Sequence, residues 1–163
     1  MIDSRKHIKA AIDDFLAIIE DTQIGEEERL VRLRRSLDQL ALLQHSVNYT
    51  FDGKDYPDAP GQDFTELRRI IAHRFPALGY YNVPNCVTQQ IAETKIDVGD
   101  AIDDIADIAR ELYDVQWYWT NTSVDDALWH FKNNYWSHWE EHLRTLQLYL
   151  HRLDKGSDEQ ETH

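Results

Sequence analysis

The chain has 163 residues, 42% of them hydrophobic, including five Trp and eight Tyr, which is enough apolar surface for one domain with a packed core. A net charge of −13 repels a phosphate backbone and argues against nucleic acid as a ligand. The single cysteine, Cys86, excludes an intramolecular disulfide and a Cys-rich zinc site, and fits a reduced, cytoplasmic setting.

Charges recur every few residues through "MIDSRKHIKAAIDDFLAIIED", so the N-terminus lacks the apolar run of a signal peptide. No stretch approaches the roughly 18 apolar residues of a membrane span. Six Gly and four Pro in the whole chain favour long helices over a strand-rich sandwich. The expected fold is all-α: a single-domain bundle of five helices over residues 1–153, with a long C-terminal helix and one long irregular crossover. A polar, disordered tail is expected over 154–163.

The first helix is predicted from Asp3 to Asp21, with Ile8, Ile12, Phe15 and Ile19 on one face. Gly25 is expected to stop it in a conformation that tolerates positive φ. Glu26 to Glu28 open the second helix, where carboxylates favour the positive dipole end. Leu30, Leu33, Leu37, Leu40 and Val47 continue its apolar rhythm. The short connection makes an antiparallel pair. Residues 48–62 are rich in turn formers, and Asp52-Gly53 suits a short hairpin.

Asp63 and Glu66 form a capping pattern for a third helix, with Phe64, Leu67, Ile71 and Phe75 inward and Pro76 ending it. The crossover, residues 77–96, carries Tyr80, Tyr81 and Cys86, with a strand expected near Ile91. Cys86 has no neighbouring cation to lower its pKa and is a poor nucleophile. Asp97 and Asp100 are expected to cap a fourth helix that reaches Trp119. Thr122 or Ser123 caps a fifth, running to Leu153.

The last two helices carry the chemistry. In the fourth, Ala101, Ile105, Ile108, Leu112, Val115 and Trp119 form an apolar stripe. One position earlier, Asp100, Asp104, Asp107, Glu111 and Asp114 form an acidic one, with Asp103 on the same side. In the fifth, Trp129, Trp136, Trp139, Leu143, Leu146, Leu150 and Leu153 form the main apolar stripe. Beside it run Val124, Leu128, Phe131, Tyr135, His138, His142, Thr145 and Tyr149. His138 and His142 therefore occupy apolar-stripe positions one turn apart, and burial of both is expected. An antiparallel pairing would bring Asp104 or Asp107 against them.

"VGDAIDDIADIARELYD" and "DDALWHFKNNYWSHWEEHLRTLQLYLHRL" resemble the bacterial family known as domain of unknown function 5063. The likeness covers residues 78–153 and is carried by Gly99 to Ile108 and by His138-Trp-x-x-His142. It implies a small all-helical bacterial protein and no assigned activity.

His138 and His142 have the spacing of two zinc ligands on one helix face. With Glu141 they match His-x-x-Glu-His, but only 21 residues follow His142, too few for such a protease domain. Tyr135 and Trp139 stand where a di-iron bundle needs glutamates. A magnesium site of the helical pyrophosphatase kind would pair Asp100, Asp103, Asp104 and Asp107 with Glu140 and Glu141, which lie off the histidine stripe.

The residues thus support a polar network among Asp103, Asp104, Asp107, Tyr135, His138 and His142, or a divalent metal on His138 and His142. The network reading is preferred, since buried imidazoles need partners. The expected role is a non-enzymatic binding or interaction protein. The alternatives are a metal-binding protein or metal-dependent hydrolase, and an acidic immunity or inhibitor protein that takes a basic partner.

Overall fold

The computed structural model describes residues 3–161, and of 157–161 the backbone only. Its helices are α1 (Ser4–Glu20), α2 (Glu26–Leu43), α3 (Phe64–Arg74), α4 (Ala101–Asn121), α5 (Val124–Asn134) and α6 (Glu140–Glu161). A π-helical turn, Tyr135–Trp139, joins α5 to α6, and the residues flanking it stay in the right-handed helical region. The three segments form the long C-terminal helix. It passes Leu153 and runs to Glu161, so most of the expected tail is helical in its backbone; residues 162 and 163 lie outside the described residues. No helix is long and apolar enough to cross a membrane.

α4 is the axis of the bundle: it packs against α1, α3, α5 and α6, while α1 pairs with α2. Its buried stripe is the expected one from Ala101 through Ile105, Ile108 and Leu112 to Val115, but ends on Tyr118, with Trp119 half-buried. Side-chain caps fix the helix starts. Asp3 accepts from Arg5 N, Asp63 from Glu66 N, Asp100 from Ile102 N and Ser123 from Asp126 N. Asp97 plays no capping part: it lies three residues before the cap, and its carboxylate accepts from Asn85 Nδ2 at 2.7 Å.

α1 has no basic residue in its last turn. Its C-terminal carbonyls are met from elsewhere. The buried Arg29 of α2 donates to the carbonyls of Ile18, Asp21 and Ile24, and Arg74 of α3 donates to that of Ile19. Gly25 does not end α1. It is the N-cap of α2 with a φ of −72° and open space where a Cβ would stand, so neither a left-handed turn nor crowding calls for glycine there.

Residues 47–63 form no hairpin at Asp52-Gly53. The segment is held down instead: Thr50 N donates to Asp125, which also pairs with Arg5, and Ala59 N donates to the Tyr118 hydroxyl. The crossover holds two strands, not one near Ile91. β1 (Tyr80–Pro84) pairs antiparallel with β2 (Ile96–Asp100), and Ile91 lies in the turns between them. Val, Ile and Tyr favour the pleated surface, whereas helical spacing is missing here. Tyr81 lies opposite Gly99, and a Cβ on Gly99 would come within 2.6 Å of the Tyr81 ring. The glycine lets the ring lie flat across β2 on its way to the bundle.

The π-turn decides which side of the C-terminal helix is buried. Up to its first residue, Leu128, Phe131 and Tyr135 are buried; from its last residue on, Trp139, Leu143, Leu146 and Leu150 are. The buried line thus crosses from one sequence stripe to the other at the π-turn, by consecutive steps of four from Phe131 to Leu143. A turn closed by i→i+5 bonds holds more residues than the 3.6 of an α-turn, which makes that step possible. Trp136, expected in the core, is 60% exposed as a result.

Gly99→Ala is expected to lower stability by about 1–3 kcal/mol, because the Tyr81 ring must leave its seat. Chemical denaturation measures this; a neutral substitution would mean that the ring does not hold the hairpin to the bundle.

Candidate metal centre

α4 offers Asp104, Asp107 and Glu111 at i, i+3 and i+7, on one face. The π-turn moves His138 and His142 off the buried line and beside α4. Because the two helices run antiparallel, Asp104 stands level with His142 and Glu111 with His138. His142 Nδ1 lies 2.8 Å from Asp104 Oδ1, and His138 Nδ1 lies 2.9 Å from Glu111 Oε1. An ionised carboxylate only accepts, so each Nδ1 carries the proton. Each Nε2 is then left facing the carboxylate between them. His142 Nε2 is 3.6 Å from Asp107 Oδ2, and His138 Nε2 is 3.9 Å from Asp107 Oδ1. One donor atom from each of Asp107, His138 and His142 lies within 4.8 Å of the others.

Every carboxylate in the cluster has a second partner. Asp104 is buried and also accepts from the Tyr81 hydroxyl. Glu111 accepts from Asn134 Nδ2 at 2.8 Å. Asp107 Oδ1 accepts from Arg110 Nη2 at 2.9 Å, and the Arg110 guanidinium lies 5.0 Å over the Phe64 ring. Tyr81 stacks on Tyr149 at 4.7 Å, so hairpin and α6 grip each other directly beside Asp104. The hydrogen bond to Asp104 pushes the His142 imidazole above its ordinary value against the pull of burial, with Asp107 adding to the rise. Burial, and then Asp104, keep the Tyr81 phenol protonated.

Asp104, Asp107, His138 and His142 thus come together as the sequence suggests. The imidazoles are less buried than their stripe implies: their side chains are 35% and 28% exposed, which leaves them within reach of a solvent-borne ligand. Asp103 and Tyr135 do not join. Asp103 turns away to Arg68, which also holds Asp100. Tyr135 is fully buried against Trp139, its hydroxyl accepting from Arg144 Nη2 at 3.2 Å. Glu111 and Tyr81 join instead. For Glu111 the signal is its place on the acidic stripe; equal steps along two antiparallel helices would instead set Asp107 level with His138. For Tyr81 the chain offers no such signal.

His142→Ala is expected to cost about 1–3 kcal/mol by leaving the buried Asp104 carboxylate short of a partner. The contribution has a pH sign. With its folded-state value raised, His142 stabilises the metal-free protein fully below about pH 6.5, and the contribution fades as pH rises through the folded-state value. The stability gap between wild type and His142→Gln, read by urea unfolding, should be wider near about pH 6 than near about pH 8. A gap that widens with pH would mean that the imidazole is held neutral.

No family model and no curated protein matches the chain. Among solved structures, the chain is similar to protein BF1032 from Bacteroides fragilis, with a TM-score of 0.74 and 16% identity over 93% of this chain and 92% of that one. At that identity the two share the mostly helical fold, and the likeness extends no further.

Proposed function

We propose that this protein is a non-enzymatic binding protein whose ligand is a divalent first-row transition metal, held by His138 Nε2, His142 Nε2 and Asp107. The observation that carries this reading is the convergence of two Nε2 atoms on one carboxylate while each Nδ1 is bound to a different one. Histidines that ligate through Nε2 have their other nitrogen fixed in this way by a carboxylate. Three donors on a tetrahedral ion with bonds of about 2.0–2.1 Å stand roughly 3.4 Å apart; here the two Nε2 atoms lie 3.6 and 3.9 Å from the two different oxygens of Asp107, and one donor atom from each residue lies within 4.8 Å of the others. Two imidazoles and a carboxylate suit zinc or ferrous iron. The π-turn supports the reading too, since such turns gather at functional sites.

Binding is favoured over hydrolysis by the state of the carboxylates. A hydrolytic centre needs a free general base beside its metal-bound water. Asp104 is taken by His142 and Tyr81, Glu111 by His138 and Asn134, and Asp107 by Arg110. A purely structural network is the second reading, favoured by the Arg110–Asp107 pair, which already neutralises the central carboxylate. We place the protein in a bacterial cytosol, a reduced setting that the lone cysteine supports.

Zinc at about a hundred times its Kd should raise the melting temperature by roughly 5–10 °C, and His142→Ala should abolish the rise. Asp104→Asn should weaken zinc binding by about 10–100-fold while leaving the three ligands in place. Calorimetric titration and elemental analysis of tag-free protein read both. A melting temperature that ignores zinc in wild type and in His142→Ala would assign the cluster to structure alone.

A further inference from the structure

β1 has an open edge. Asn85 N donates to the Lys95 carbonyl at 2.8 Å and Ala101 N to that of Gly79 at 3.2 Å, bonds that bracket the β1–β2 ladder. Bonded and non-bonded pairs alternate in an antiparallel ladder. Tyr81 and Val83 therefore use their backbone groups on Gly99 and Asp97, while Tyr80 and Asn82 turn N–H and C=O outward and Pro84, which lacks an N–H, its carbonyl alone. No third strand covers them, since the sheet has two strands among the described residues. Against β1 lies a groove of about 330 Å³, lined by residues 81–84 and by Thr145, Leu148, Tyr149 and Arg152 of α6.

The chemistry of the groove is specific. Leu148 is 56% exposed and lies off the core line of Leu146 and Leu150. Arg152 is the one charged side chain among the described residues that line the groove. From Phe75 to Ala92 the chain has no charged residue at all, in a protein that carries −13. A strip of alternating backbone donors and acceptors, an apolar wall and a lone cation thus lie side by side.

We propose that this groove binds an extended peptide strand of another protein. The strand adds to the open edge of β1, sets an apolar side chain against Leu148 and Tyr149, and places a carboxylate on Arg152. Several outward backbone groups at strand spacing are matched together only by another extended backbone. A carboxylate finds here a positive end that the acidic remainder of the surface does not offer. A second copy of this chain is disfavoured as the occupant, because two molecules of −13 repel. The site does not use the metal ligands, and the two readings stand or fall separately.

The test is selection of a displayed library of random heptapeptides on the full-length protein, with counter-selection on Leu148→Glu. Leu148 is exposed, so this variant should keep the wild-type circular dichroism and melting temperature, and Arg152→Ala serves as a second, milder variant. Enriched peptides should alternate apolar residues and carry an acidic one. By fluorescence anisotropy they should bind wild type at least about tenfold more tightly than either variant. N-methylation of alternate backbone nitrogens in the best peptide should abolish binding, because it removes the edge hydrogen bonds. Failure to enrich on wild type over Leu148→Glu would overturn the proposal, as would N-methylated peptides that bind equally well. Sedimentation that shows a concentration-dependent dimer lost in Leu148→Glu would assign the groove to a second copy and overturn it too.

Discussion

Asp104 is a carboxylate at 6% exposure in the seam of a helical bundle, and a buried charge is tolerated only when it is paired and hydrogen-bonded. Its two partners come from opposite directions along the chain: Tyr81 from the hairpin before α4 and His142 from α6 after it. One side chain thereby fixes three elements. It sets the register of α4 against α6, it docks the hairpin on the bundle, and it holds the His142 ring with Nε2 turned toward Asp107. Glu111 repeats the arrangement two turns along with His138 and Asn134, so both imidazoles are clamped by their Nδ1.

The π-turn makes this seam compatible with a continuous core. If the C-terminal helix had kept one stripe inward throughout, His138 and His142 would follow Leu128, Phe131 and Tyr135 into the apolar interior. Burying two imidazoles there without partners would be costly. The wide turn at Tyr135–Trp139 hands the core over to Trp139, Leu143, Leu146 and Leu150 and sets the histidines on the flank. Fold and site share one cause: the step that completes the core is the step that exposes the ligand atoms.

Much of this could be read from the residues. The five helices, the cap at Asp63, a choice of two residues for each of the caps at Asp100 and Ser123, and the meeting of the acidic and histidine stripes follow from period, capping chemistry and a short connection. The π-turn could not, because both stripes of the last helix keep 3-4 spacing through it and nothing local marks where the core changes sides. That is why the spacing alone places Trp136 inside and buries both histidines, whereas the structure exposes Trp136 and leaves the imidazoles half-buried. Asp103 was misplaced because a neighbouring helix supplies Arg68, a tertiary fact. The hairpin was missed because its strands flank the turn residues at which a single strand was expected, and Tyr81 is brought to Asp104 by packing alone. Gly25 shows the limit of residue type as a signal: a glycine between helices can begin the second as well as end the first.

The account rests on both imidazoles presenting bare Nε2 atoms to Asp107, since that orientation separates a ligand set from an ordinary polar network. Long-range nitrogen–proton NMR of the metal-free protein, at a pH above the titration of both rings, reads it directly. The account predicts the Nδ1–H tautomer at His138 and at His142, with Nε2 as the atom whose resonance moves when zinc is added. An Nε2–H tautomer at both rings, unmoved by zinc, would contradict it.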